Sequence, residues 1–481
     1  MKKNRDWSLL GLNLCIGIET GLLVSILMAG MLFVGNYGAD DLEHWASSWF
    51  VFNGYTPYKD FFQHHHPLLW YMTAPVFWFI DHPIDSFQVG RVIAAIFFFW
   101  GCLLIGKIIK ALGNGARSFL YVLFIYLSYP VTTGSYIQNR PDTYMVPFLL
   151  WGFYKWILFF KEKKTKDLIW CYLFFFIAFA FLQKAVWLLA PFGVYQLYLL
   201  VRKELKWTDV FKALTIPLVC SGAYFLYLVL TGSFMRYWEL NWILNIYFFR
   251  DYQSYQMNIL DYVYTGLCIL VCLWNIKNEK GVIRDLLFVI LGFASIFYFI
   301  PKPYYFYWII WVPFAAIVVG LGLGKLVISK ELLKSFFARG VLILACFLTG
   351  VHICTNALWV EKSNFEKEVR LLSTKIKEGN ELVDYDDYRA QFLRNYPKHY
   401  YWFCLVRCGP LDVKLFHRYQ MPDWDKIIYE QKPKYVMYHK VYDLTEADDR
   451  NTDKQIMGVD ENWLIKHYRY LDKMDVYERV E

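Results

Sequence analysis

Long apolar runs, broken by short charged patches, constrain this chain more than any other feature of its sequence. A bilayer core needs about 20 apolar residues per helix. Eleven stretches come near that length: 9–35, 88–110, 117–133, 143–160, 168–183, 185–201, 210–232, 257–276, 285–300, 304–324 and 338–359. A further apolar stretch, His66 to Ile80, is shorter and holds Pro67 and Pro75. It suits a helix lying at the interface or half-entering the membrane. The chain is 57% hydrophobic and 21% aromatic, where a soluble domain is usually about half apolar. The excess sits in these runs, which excludes an ordinary soluble fold. The basic start MKKNRDW leads into an apolar run from Leu9 to Val34. That run is too long for a signal-peptide core and reads as a retained first span.

The net charge of +8 says less than the placement of the cations. With the N-terminus in the cytoplasm, the inside loops carry clusters. Lys107, Lys110 and Arg117 form one; Lys161, Lys163, Lys164 and Lys166 form another; Lys325, Lys330, Lys334 and Arg339 close the series. The outside loops carry scattered cations, among them Lys59, Arg140, Lys184 and Lys302. One miscounted span would reverse the later loops, so the pattern supports an odd total and an outer C-terminal region. The expected fold is a polytopic α-helical membrane protein of about eleven spans, with residues 1–360 in the membrane part. Residues 361–481 are polar and tyrosine-rich, with strand-like pieces (KYVMY, WFCLV) between helix-like ones (EKEVRLLSTKIKEG, DWDKIIYEQ). They predict a small extracytoplasmic α/β domain. No repeat or low-complexity segment stands out. Most of the ten cysteines lie in apolar runs and read as inert core residues. Cys404 and Cys408 lie in the polar tail and could pair in an oxidising compartment.

Polar residues gather on the outer side. The first outer loop, 37–87, holds Asp40, Asp41, Glu43 and His44, followed by Trp45, Trp49 and Phe52 at amphipathic spacing. One reading is a solvated, charged helix beside an aromatic belt. The other is a site, with a carboxylate as general base. His64, His65 and His66 follow in the same loop. Three successive residues rarely face one point, so the run is a poor zinc site. The histidine before Pro67 is held extended and can reach a phosphate. A second cluster, QNRPDTY, puts Pro141 and Asp142 in a first helical turn, where both suit the backbone dipole. Lys184 sits between two apolar runs with almost no loop. A lysine deep in lipid costs about 2.5–3.5 kcal/mol on insertion scales, so it faces a cavity or snorkels to the headgroups. Arg236, Glu239, Arg250 and Asp251 form a fourth group, and Lys302 in PKPYYFYW a fifth. Both also fit ordinary outer-face charge. Cations at headgroup depth suit a lipid-borne phosphate, and aromatic faces suit sugars.

These residues resemble a family. The segment D-x-x-x-W-A…GYTPYKDFFQHHHPLLWY is similar to the first outer loop of bacterial GT-C glycosyltransferases, relatives of the protein O-mannosyltransferases and of the lipid A aminoarabinose transferase. QVGRVIAAIFFFWGCLLIGKII, QNRPDTYMVPF, FLQKAVWLLAP and KPYYFYWIIWVPF follow in the family's order, over about residues 1–325. The resemblance implies a polyprenyl-phosphate sugar donor, a hydroxyl acceptor and inversion at the sugar. It puts the essential acid on Asp41, with Asp40 as fallback. Leu42 follows Asp41 where the family often has Glu. His65 and His66, before Pro67, stand where relatives carry Lys-Pro-Pro or His-Pro-Pro. They join Arg140, Lys184 and Lys302 as candidate contacts to the donor phosphate. Glu43, Tyr58, Asp142, Tyr304 and Tyr305 are candidate sugar or acceptor contacts.

The implied protein is a membrane glycosyltransferase of the plasma membrane. Its partners are the lipid-linked donor, membrane lipids and an unidentified acceptor, with no nucleic acid. The residues call for no certain cofactor; a divalent metal is possible but not supported by the sequence. A transporter would place charges mid-membrane in broken, repeated helices. A lipid-linked oligosaccharide ligase or polymerase would carry its large loop late in the chain.

Overall fold

The computed structural model describes residues 6–32, 39–80, 82–129, 138–246, 266, 308–357, 370–371, 373–375, 382–384, 429–430, 432–437, 460–472 and 476–480. Within these it is a bundle of apolar helices with a small sheet near the C-terminus. The long helices are α1 (Trp7–Leu32), α4 (Pro83–Ala111), α6 (Pro141–Glu162), α8 (Val186–Val201), α9 (Trp207–Leu230), α11 (Trp308–Val327) and α12 (Leu332–Ala357). With the 3-10 turn Gln183–Ala185 counted into α8, all seven are long and apolar enough to cross a membrane. α5 (Ala116–Ser128) and α7 (Thr165–Phe181) are shorter. Each of these nine helices overlaps one of the expected spans; apart from residue 266, the expected spans 257–276 and 285–300 lie outside the described residues.

The chain divides into two compact units. The first comprises Met1–Gly35, Arg91–Leu226 and Ser254–Glu361. Its centre is α11, buried along nearly its whole length and packed on α5, α6 and α12. Gly320 makes that packing close. A Cβ there would meet the Val122 side chain at 2.5 Å and its backbone at 2.7 Å, so α5 lies directly on the α11 backbone. Small residues at such a crossing let helices gain dispersion contacts where lipid offers no hydrophobic drive. α6 and α7 form a hairpin turned at Lys163, which adopts φ 55 and donates its amide to Phe159 O at 2.8 Å. Lys155 Nζ bridges to Asp167 Oδ1 at 2.8 Å and fixes the pair. α9 instead exposes apolar side chains such as Leu218, Val219 and Leu226, as a lipid-facing helix must.

The second unit comprises Asn36–Gly90, Tyr227–Gln253 and Lys362–Glu481. It holds α2 (Ala39–Phe52), α3 (Leu68–Thr73) with the 3-10 turn Ala74–Trp78, and α10 (Phe234–Trp238) running into a π-helical turn, Glu239–Leu244. The stretch His66–Ile80 is thus one short helix plus a 3-10 turn, with Pro67 and Pro75 each opening one of them. Near the C-terminus, β1 (Leu382–Asp384), β2 (Tyr435–Met437), α13 (Glu461–His467), β3 (Tyr468–Leu471) and β4 (Val476–Arg479) form a small α/β sheet region of order β1-β2-β4-β3. β1 and β2 are parallel, and β3 and β4 form an antiparallel hairpin. KYVMY is β2; WFCLV, Cys404 and Cys408 lie outside the described residues. Cys102, Cys171 and Cys346 are buried, as expected, but Cys15 is exposed.

Candidate active site

The first cluster is built on α2. Asp40 and Asp41 occupy its first turn, where carboxylates meet the positive end of the helix dipole. Trp45 anchors the helix: its ring packs where a Cβ at Gly90 would stand, 2.6 Å away, and its Nε1 donates to Ser86 Oγ at 3.2 Å. Residues Asp41 to Ser48 are all buried. The solvated-helix reading therefore fails for Glu43 and His44, which are 8% and 1% exposed. Other loop segments cover the polar face that amphipathic spacing leaves for water.

Helical spacing sorts these residues into two faces. Asp40, Glu43 and Ser47 share one. There Gln63 Nε2 donates to Glu43 Oε1 at 2.9 Å and to Ser47 Oγ at 2.8 Å. His64 Nδ1 lies 3.8 Å from the same Glu43 oxygen. Asp41, His44 and Ser48 share the other. Trp70 Nε1 donates to His44 Nδ1 at 3.2 Å, so a neutral His44 carries its proton on Nε2. Ser48 and Thr73 hydroxyls meet at 2.7 Å. Asp41 is fully buried on this second face.

The histidine run divides its work. His64 faces Glu43, and its carbonyl accepts Asn245 Nδ2 at 2.9 Å. The His65 carbonyl accepts the Tyr58 hydroxyl at 2.7 Å, while its ring lies 3.9 Å from that of His64. His66 Nε2 lies 3.1 Å from the Tyr237 hydroxyl. That hydroxyl accepts Trp242 Nε1 at 3.3 Å, which leaves its own proton for His66. Burial pushes the Tyr237 hydroxyl above its ordinary pKa, so it keeps that proton at neutral pH. Tyr58 holds φ 69, a left-handed conformation outside glycine's usual territory. Such strain costs on the order of 1–3 kcal/mol and persists where surroundings impose it. Here the His65 carbonyl and the rings of Trp70 and Tyr237 hold Tyr58 in place.

The second cluster lies in the other unit, at the start of α6. Arg140 is the extended residue before the helix and Pro141 is its first residue, as the sequence predicts. Arg140 Nη2 and Asp142 Oδ2 form an ion pair at 3.5 Å, both nearly fully buried. Tyr144 donates to Asn139 Oδ1 at 2.6 Å. Lys184 is half-buried in the 3-10 turn that opens α8, beside buried Gln183. Arg236 and Glu239 pair with each other at 3.5 Å, the ordinary surface arrangement. Arg250, Asp251, Lys302, Tyr304 and Tyr305 lie outside the described residues.

Sequence reasoning passed over Ser47, Gln63, Trp70, Tyr237, Trp242 and Asn245. Two of them left a signal. Gln63 directly precedes the histidines, and Asn245 lies one helical turn after Asn241.

The described residues thus form a polytopic bundle of apolar helices with a small C-terminal sheet region, and solved membrane proteins share this fold. The solved structures it resembles include ArnT from Cupriavidus metallidurans bound to undecaprenyl phosphate. That match has TM-score 0.54 at 13% identity, over 86% of this chain and 92% of that one. The same protein in the apo state gives TM-score 0.52 at 12% identity, over 86% and 91%. No family model and no curated protein matches the chain.

Proposed function

We propose that this chain is a membrane glycosyltransferase that moves a sugar from a polyprenyl-phosphate donor to a hydroxyl acceptor on the outer face of the membrane. One observation carries the reading: the likeness, over 86% of the chain, to an ArnT structure bound to undecaprenyl phosphate. In this reading the N-terminus is cytoplasmic, residues 1–360 form the catalytic membrane domain, and residues 361–481 form an extracytoplasmic domain.

Asp41 accepts the proton of the acceptor hydroxyl as its oxygen attacks the anomeric carbon. The bond to the lipid phosphate breaks, and the sugar inverts. Asp40 is the fallback base. Negative charge grows on the departing phosphate, and fixed cations lower that barrier. His65, His66, Arg140, Lys184 and Lys302 are the proposed phosphate contacts. Glu43, Tyr58, Asp142, Tyr304 and Tyr305 are the proposed sugar or acceptor contacts. The burial of Asp41 on a helix pinned by Trp45 supports the base assignment, because a base must hold its position.

Native mass spectrometry of the chain in mild detergent tests the donor class. A co-purified polyprenyl-phosphate sugar, or the spent lipid phosphate, is expected. Repeated isolation with neither, combined with no transfer from a labelled lipid-sugar pool, overturns the proposal.

A further inference from the structure

We propose that Cys15, Glu19 and Cys346 hold a thiophilic divalent cation of the zinc class between α1 and α12, a site independent of the reaction above. One ligand atom from each lies within 4.8 Å of the others. Cys15 and Glu19 are one turn apart on α1, with the thiol 3.8 Å from Glu19 Oε1. Cys346 and Gly350 repeat that spacing on α12. A Cβ at Gly350 would stand 4.0 Å from the Glu19 carboxylate, so this face of α12 is turned to Glu19.

The two helices are held in register below the cluster. Arg339 of α12 pairs with Asp6, just before α1. Cys346 lies seven residues past Arg339 and Cys15 nine past Asp6, so both sit about 10–13 Å deeper along the span. A carboxylate at that depth is expensive without a partner. The Cys15 thiol meets Glu19 Oε1, while Oε2 is buried with no hydrogen-bond partner among the described residues. Two sulfurs and a carboxylate oxygen are a donor set suited to zinc. Tetrahedral zinc separates two sulfurs by about 3.7 Å, so small side-chain rotations close the site. Each thiol passes its proton to water shed by the incoming hydrated ion, and occupancy therefore rises with pH. The two thiolates and carboxylate leave one net negative charge on the centre. The fourth position is open beside exposed Cys15.

The full-length chain in detergent, stripped with chelator and titrated with Co2+, tests this. The expected result is a thiolate-to-cobalt charge-transfer band that Zn2+ displaces and that Cys15→Ala/Cys346→Ala removes. A band unchanged in that variant places the metal elsewhere and overturns the proposal. If the variant does not fold, the native chain decides. Zn2+ is expected to slow maleimide labelling of exposed Cys15, and chelator to restore it. Equal labelling with and without Zn2+, or a disulfide joining the two cysteines as isolated, overturns it.

Discussion

The two buried polar clusters are held by different physics. On α2, a neutral amide, Gln63, donates to both Glu43 and Ser47. At the start of α6, Arg140 and Asp142 are two opposite charges buried together, with a contact of 3.5 Å. Neutral donors cost little to bury and fix geometry one bond at a time. A buried charge pair is bistable in energy: kept whole it is tolerated, and halved it leaves a bare charge in a low-dielectric site. The α2 cluster is therefore suited to hold a base in place. The α6 cluster holds an arginine out of water beside an acid, and in the proposed reading that arginine meets the donor phosphate.

The largest expected effect tests which acid on α2 acts. Asp41→Asn should lower transfer by about 10²–10⁴-fold, the usual contribution of a general base. The protein should still assemble in membranes, because asparagine keeps the shape and a hydrogen-bonding group. Glu43→Gln should do far less, since the new amide oxygen still accepts from Gln63. If Glu43→Gln silences transfer and Asp41→Asn does not, the two faces of α2 exchange roles. Initial rates with a labelled lipid-linked sugar decide it.

The next effect is on stability. Asp142→Ala removes the buried carboxylate that pairs with Arg140 at 3.5 Å and should cost about 3–5 kcal/mol in detergent unfolding, the usual loss when one half of a buried pair is deleted. Arg140→Met with Asp142→Leu should recover much of that loss, because both charges of the pair leave together. Recovery of stability without recovery of transfer is the expected result. Recovery of both would remove Arg140 from the mechanism.

Gln63→Leu sharpens the other side of the comparison. It deletes two hydrogen bonds and leaves Glu43 Oε1 and Ser47 with less support, for about 1–3 kcal/mol. A loss as large as that from Asp142→Ala would mean that the α2 cluster is also dominated by charge.

Much of the bundle was legible because lipid demands long apolar runs, and nine of those runs are helices here. The start of α6 was legible because Pro141 has one favoured place in a helix. The environment of α2 was not. Amphipathic spacing says that a polar face exists, but Gln63, His64 and Trp70, which cover it, approach from 16 to 26 residues away. Tyr237 and Asn245 reach the histidines from more than 170 residues away, and no local pattern encodes that. The C-terminal strands escaped notice, apart from KYVMY, because each spans three or four residues.

The smallest expected effect asks whether burial or distance sets the strength of an ion pair. Arg469 Nη2 and Glu478 Oε2, across the β3–β4 hairpin, lie at 3.0 Å, closer than Arg140 and Asp142 at 3.5 Å. Arg469 is 71% exposed, so water screens the pair. The hydrogen bond from Arg469 holds the Glu478 carboxyl below its ordinary pKa of 4.5. A carboxyl depressed in the folded state stabilises the sheet above that ordinary value. The contribution is lost as pH falls through the lower, folded value. Glu478→Gln should thus flatten an acid-side slope worth less than about 1 kcal/mol, read as amide exchange along β4 between neutral and acid pH. A slope larger than the loss from Asp142→Ala would show that proximity outweighs burial in this protein, and would reverse the ranking on which the comparison of the two clusters rests.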